Sequence, residues 1–376
     1  MTTATALPDD PKLAMRSIIQ RIATGPELSK DISFDEARRG MRAILDNAVD
    51  PVQAAIFLIA LRMKRETDDE NLGVFEAIRE VSTVVTADVD ELMDVADPYD
   101  GYNRSLPPSP FLPALLAACG VPAVSHGVEK VGPKYGITHR QVLRAAGVNV
   151  DISPQAAAAR IADPKIGWAY VDQSRYAPRL HDLTALRSLI VKRPAITTVE
   201  TLVGPIRARN KTHTLTGYVH KPYPRIYALL ARHAGFDSAL IVRGVEGGVI
   251  PSLRQEGKLF WYRDKGEEQA LEIKPADFGI DQGVRAVPVP ENLGKAKEGG
   301  DEIAVAFDTA GAAQAAADAG LAALEGAPGA TRDGLTYATA ICLWHLQRFP
   351  SLGAAANHVR GVLDSGAALT RFKAGH

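Results

Sequence analysis

The chain has 376 residues, 46% of them apolar and 23% charged. These values lie close to globular averages, so neither disorder nor a fibrous repeat is favoured, and the length allows two or three ordinary domains or one α/β body with an appended helical piece. The formal net charge is −1, which excludes a uniformly basic or acidic protein.

No apolar run approaches the length of a bilayer span, and the start MTTATALPDD lacks the basic lead and apolar centre of a secretory signal, so a soluble cytoplasmic protein is expected. Cys119 and Cys342, the two cysteines, stand in apolar helical contexts and read as buried thiols.

From Leu13 to Arg79 the signals are helical. Ile18, Ile19 and Ile22 fall on one face, and Gly25-Pro26 stops that segment. Ser33 with Glu36 three residues on predicts a capping box, opening a helix with Ala37, Met41, Ile44 and Leu45 inside. The run VQAAIFLIALRMK is apolar on several sides and must pack against something large, with surplus apolar surface for a dimer face. A fourth helix follows in TDDENLGVFEAIREV, with Asp68 or Asp69 near its positive end. The expected first domain is a helical bundle over residues 1–90 that makes a homodimer.

Beyond Thr86, β-rich runs alternate with helices. MDVAD, PAVSH, WAYVD, TLTGYVH, SALIVRG and KLFWYR read as strands. Helices are expected near 111–119, 138–146, 154–161, 181–191, 223–234 and 307–325. Alternation of this kind predicts a large α/β domain over 91–376, with a mostly parallel central sheet flanked by helices and further helices at 302–376. The charged, Gly- and Pro-rich segment 264–300 reads as irregular connection with room for one strand.

The stretch from Ala96 to Lys134 organises the rest: a strand end, a turn rich in Asp, Gly, Asn and Ser, a helix, and a second strand ending in Ser125, His126 and Gly127. In open α/β sheets ligands gather outside the carboxyl ends of strands, where backbone N–H groups suit a phosphate. The plain alternatives are a structural turn and a hydrogen-bonded histidine at a strand end. Charge is unevenly distributed. Glu66 to Asp100 holds twelve acids against Arg79 alone, whereas Thr201 to Phe236 has no acid but contains Arg207, Arg209, Lys211, Lys221, Arg225 and Arg232. Such runs are usually solvated faces; the sharper reading is a positive surface for a sugar phosphate or a nucleic acid backbone.

Several motifs together resemble the anthranilate phosphoribosyltransferases of glycosyl transferase family 3, relatives of the pyrimidine nucleoside phosphorylases. They are ISFDEARRGMRAIL, then DPVQAAIFLIALRMKRETDDE with Gln53, Phe57, Leu61, Arg62, Lys64, Glu66 and Thr67 in place. ACG at 118–120, His126-Gly127, Gly204-Pro205 and DSGAALTRF extend the match. The resemblance implies a small helical domain joined to a large α/β domain, a homodimer, and transfer of a phosphoribosyl group from PRPP to an aromatic amine with Mg²⁺. In such chemistry the protein mainly supplies a phosphate cradle, carboxylates for Mg²⁺ and an orienting group for the acceptor.

By that resemblance Asp100, Gly101, Asn103, Arg104 and Ser105 hold the phosphate end of PRPP, joined by His126, Gly127, Lys130 and Lys134. Arg187, six residues before Arg193, grips an anionic acceptor, and Glu246 holds Mg²⁺. The chain also departs from the family pattern. Pro98 and Tyr99 replace glycines of the first loop, and Glu246-Gly247 replaces an adjacent Asp-Glu pair. In GYNRS and VEGGV it resembles a divergent paralogue branch, some of whose members bind nucleic acid. A paralogue without transferase activity, binding DNA or RNA through residues 201–236, is therefore the alternative.

Overall fold

The computed structural model describes residues 7–25, 27–294 and 307–376. Pro26, residues 295–300 of the expected irregular connection and residues 302–306 of the expected C-terminal helical region lie outside them.

Two compact units form. One comprises Met1–Thr83, Val131–Pro133 and Ala177–Val203; the other comprises Val84–Lys130, Lys134–Tyr176 and Gly204–His376. The expected single cut near residue 90 is thus replaced by a chain that returns to its first unit. The physical reason is that the later helices α10 (Thr184–Ile190) and α11 (Ile196–Val199) pack on the early ones, while Arg179 of α9 (Pro178–His181) pairs with Asp46. The helix expected over 181–191 is α10, and α9 precedes it as a separate short helix.

The helical unit begins with α1 (Pro11–Ile22), α2 (Phe34–Leu45), α3 (Pro51–Lys64) and α4 (Asp68–Glu80). Local chemistry sets their starts. Asp10 and Asp50 cap helices that open on proline, while Ser33 with Glu36 and Thr67 with Glu70 form reciprocal capping boxes. Helices α2 and α4 pack so closely that a Cβ on Gly73 would meet the Phe34 carbonyl oxygen at 2.3 Å.

In the α/β unit, β1 (Val85–Thr86) pairs with β5 (Ile206–Arg207) as a separate two-stranded parallel ribbon. The main sheet has seven strands: β2 (Glu91–Ala96), β3 (Ala123–Gly127), β4 (Trp168–Asp172), β6 (Lys211–Gly217), β7 (Ser238–Val242), β8 (Gly257–Tyr262) and β9 (Gln269–Ile273). Their order is β4-β3-β2-β6-β7-β8-β9. The first five run parallel, and β8 and β9 add an antiparallel edge. The room left for one strand in 264–300 is filled by β9.

Helices cover the sheet: α5 (Leu112–Ala118), α6 (His139–Ala145), α7 (Pro154–Ala162), α8 (Gln173–Tyr176), α12 (Tyr223–His233), α13 (Thr309–Leu324), α14 (Ala330–His345), α15 (Leu352–Asp364) and α16 (Ala367–Ala374). The last helix closes onto the core, where Phe372 stacks on Trp168 with centroids 5.2 Å apart.

Parallel pairing of β2 with β6 sets Glu91 opposite Lys211. It also brings Arg209 to 2.6 Å from Asp88 and 3.1 Å from Asp90. The acidic and basic stretches seen in the sequence therefore meet here at Arg209, and two further cations find acids outside the acidic stretch. Lys211 pairs with Asp264 at 2.8 Å and Arg232 with Glu268 at 2.7 Å.

Candidate phosphate site

Three loops meet at the carboxyl ends of β2, β3 and β7. The loop after β2 turns at Gly101, whose φ is 73°, and a Cβ there would meet the Ile137 carbonyl oxygen at 2.6 Å. Tyr102 then exchanges two backbone hydrogen bonds with Ile137, fixing this loop to residues 134–138. Lys134 lies in that second strip. Its ammonium donates to the Gly101 carbonyl at 2.7 Å and to the Glu246 carbonyl at 3.3 Å. It also stands 3.7 Å from the Asp100 carboxylate and 3.8 Å from that of Glu246.

The third loop follows β7. Glu246 is left-handed, with φ 56° and ψ 15°. Its carboxylate accepts from the backbone N–H groups of Asn103 and Arg104, both at 3.0 Å, and from the Ser105 hydroxyl at 2.8 Å. Consecutive N–H groups converging on one anion form a nest. Of the residues expected at the site, the fold unites Asp100, Gly101, Asn103, Arg104, Ser105, Lys134 and Glu246. Lys130 is exposed, with its ammonium 5.2 Å from the Tyr135 ring centroid.

Other expected contacts are placed differently. His126, beside Gly127 at the end of β3, is buried. Its Nε2 lies 3.0 Å from Asp94, and its Nδ1 lies 2.5 Å from the Tyr99 hydroxyl, which also bonds Tyr176 at 2.5 Å. Tyr99, standing where the family pattern has glycine, fills this hollow. The imidazole therefore faces protein groups and not an open pocket.

Arg187 and Arg193 belong to the helical unit. Arg193 is exposed. Arg187 is 1% exposed, and its two terminal nitrogens each donate to Glu200 at 2.7 Å. A planar guanidinium satisfied by one carboxylate is not offering that fork to another. Its expected role as the acceptor grip is therefore corrected by the identity of its partner.

A second buried network backs the first loop and was missed in the sequence. Asp97 accepts from Tyr102, Ser109 and the Val249 N–H, and its carboxylate lies 2.8 Å from His139 Nε2. Burial works to raise the Asp97 carboxyl, but the His139 charge and the hydrogen bonds outweigh it and hold it below the usual carboxylate range. Burial followed by the Asp97 charge pushes the Tyr102 phenol well above its usual value. No local pattern announces it, because Ser109 lies 12 positions from Asp97 and 30 from His139.

Asp100 and Glu246, the two carboxylates beside Lys134, are the side chains that would hold a Mg²⁺ arriving with phosphates, which needs one or two carboxylates. Glu246 already accepts three hydrogen bonds, and Lys134 supplies positive charge between it and Asp100. Among the described residues no group of three or more His, Cys, Asp or Glu is arranged around a common metal position.

The chain matches the helical bundle domain of a glycosyl transferase family over residues 16–82 and the α/β domain of that family over 108–369. It is 31% identical over 252 residues to an Aquifex aeolicus (strain VF5) protein named "Uncharacterized protein", covering 67% of this chain and 74% of that one. It is also 26% identical over 361 residues to the anthranilate phosphoribosyltransferase of Nitrobacter hamburgensis, covering 96% and 97% of the two chains. Among solved structures, anthranilate phosphoribosyltransferase from Thermus thermophilus superposes with a TM-score of 0.73 at 19% identity, over 96% of this chain and 98% of that one. The Saccharomyces cerevisiae anthranilate phosphoribosyltransferase in complex with PRPP and Mg gives 0.72 at 13% identity, over 96% of each chain. Both domain matches, in the right order on the right fold, show that the chain belongs to the glycosyl transferase family that includes the anthranilate phosphoribosyltransferases.

Proposed function

We propose that the chain is a phosphoribosyltransferase-type enzyme that takes PRPP, entering as its magnesium complex, and transfers the phosphoribosyl group to a nitrogen acceptor. The observation that carries this reading is the nest at Asn103, Arg104 and Ser105 beside the buried ammonium of Lys134, at the carboxyl ends of parallel strands. Here the N–H groups and Lys134 bind the diphosphate and hold the charge that grows on departing pyrophosphate. Arg104, exposed at the loop tip, adds a second cation. In this reading Mg²⁺ is part of the substrate and neutralises the diphosphate, the acceptor is not assigned to Arg187, and the working form is a cytoplasmic homodimer. Titration calorimetry with PRPP and Mg²⁺ tests it: saturable binding that weakens in K134A is expected, and no binding at millimolar ligand discards the transferase.

A second reading, nucleic-acid binding through residues 201–236, has one observation in its favour. His220, Tyr223 and Tyr227 form a run of neighbouring rings, 6.3 and 5.5 Å apart, interleaved with exposed Lys221 and Arg225. Rings and cations on one face suit a single strand. A gel shift with single-stranded DNA at rising salt tests it; binding that persists at high salt, or none at all, rejects it.

A further inference from the structure

We propose that Glu246 is the resident anion of the nest, a built-in competitor that keeps free phosphate and pyrophosphate out until it is displaced. This rests on the reading of the 103–105 loop as a diphosphate cradle, and adds to it the side chain that decides what enters.

Three donors from three successive residues converge on one carboxylate, on a side chain that is 7% exposed. That is the arrangement a phosphate oxygen seeks, and charge-assisted bonds of this kind are the strong ones. The position of the carboxylate is enforced by the backbone. Glu246 occupies the left-handed region, and its turn is packed too tightly to drift. A Cβ on Gly244 would fall 1.5 Å from the Gly248 carbonyl oxygen, and one on Gly248 would fall 1.7 Å from the Tyr102 hydroxyl. Just beyond, the Val249 N–H is tied to Asp97 at 2.9 Å, and Asp97 accepts from the same Tyr102 hydroxyl. The turn carrying Glu246 and the loop carrying the nest are thus locked together on both sides of Tyr102.

Charge arithmetic explains the selectivity. With Glu246 seated, its carboxylate and that of Asp100 lie 3.8 and 3.7 Å from the Lys134 ammonium. Past the exposed Arg104 at the loop tip, a bare polyanion entering here meets two carboxylates and the single buried cation Lys134, and it must expel one carboxylate to reach the N–H groups. Removing the Glu246 carboxylate leaves the donors and Lys134 in place and takes away the repulsion.

The test is calorimetric titration of inorganic pyrophosphate in metal-free buffer against the full chain, E246Q and E246G. Glycine suits the left-handed backbone at 246, so E246G removes the side chain without new strain, while E246Q keeps its length and packing. Both variants are expected to bind pyrophosphate at least about tenfold more tightly than the unaltered chain, a change that S105A reduces in the E246G background. Amide hydrogen exchange at Asn103 and Arg104 gives a second readout. Without ligand it is expected to be slow in the unaltered chain and faster in E246G, and to slow again when pyrophosphate is added. Equal affinity in all three proteins, no binding by any of them, or unchanged exchange in E246G overturns the proposal. Tighter binding by E246G with no phosphoribosyl transfer by the unaltered chain keeps the competitor and discards the enzyme; transfer with no gain in E246G does the reverse.

Discussion

Arg187 and Glu200 face each other through two hydrogen bonds of 2.7 Å, each partner 1% exposed. A buried pair of this geometry offsets the desolvation of its two charges and leaves a large penalty when only one is removed. R187A is expected to destabilise the helical unit by about 3–5 kcal/mol, whereas the double variant R187M/E200M recovers most of that loss. Urea unfolding of the three proteins checks this. Equal midpoints for R187A and the unaltered chain would mean that the pair is open to water in solution.

Acid lability should originate within the α/β unit, at the amino ends of β6 and β7. His213 at the start of β6 and His345 at the end of α14 both bond the Ser238 hydroxyl, at 2.7 and 2.8 Å. Burial pushes His213 down to about 4 and His345 down to about 3, from a usual value of 6.5. The unfolded chain therefore takes up these protons first. Stability is full above pH 6.5 and falls as pH drops from there towards 4 and below. Each site is expected to contribute a loss of about 2–4 kcal/mol across that window. H345Q should flatten this part of the pH dependence, measured as urea midpoints from about pH 7.5 to about pH 5; identical slopes for H345Q and the unaltered chain count against it.

The helical unit carries a strained residue that glycine relieves. Arg65, the C-cap of α3, has φ 68° and ψ 110° and an exposed side chain. R65G is expected to raise the melting stability by up to about 1 kcal/mol, because strain at a left-handed non-glycine position exceeds the entropy glycine adds to the unfolded chain. A lowered melting temperature would show that the side chain makes a compensating contact.

A stripe on α3 gives the dimer reading a direct check. Val52, Ile56 and Met63 are exposed at 66%, 36% and 74%. They recur at helical spacing on a helix whose other faces are buried, so a second copy of the chain is the expected cover. I56E/M63E should convert a dimer to a monomer by light scattering without loss of helicity. A monomeric unaltered chain removes the dimer from the proposal.

Local and periodic signals made much of the architecture readable. Ser33 with Glu36 predicts a capping box that the structure contains, and WAYVD is β4 residue for residue. Both depend on neighbours within a few positions, where propensity and hydrogen-bond chemistry act before tertiary contacts form. Asp100 and Gly101 stand together for the same reason, since a turn at a strand end favours these residue types at adjacent positions, whereas Lys134 reaches Gly101 across 33 positions only in the fold.

What the sequence could not supply is which partner each polar group finds. Arg187 meets Glu200 only because helices returning after β4 pack into the first unit; along the chain the two are 13 residues apart with no regular spacing to link them. Glu246 reads as a metal ligand beside glycines, yet it lies 143 residues from Asn103, and only the juxtaposition of β2 and β7 loops turns it into the anion of a nest. The acidic and basic stretches likewise meet through strand order, since the pairing of β2 with β6 brings Arg209 to Asp88 and Asp90. Backbone propensity and hydrophobic period are short-range and written into the chain, whereas the pairing of buried charges is long-range and is decided when each unit closes around them.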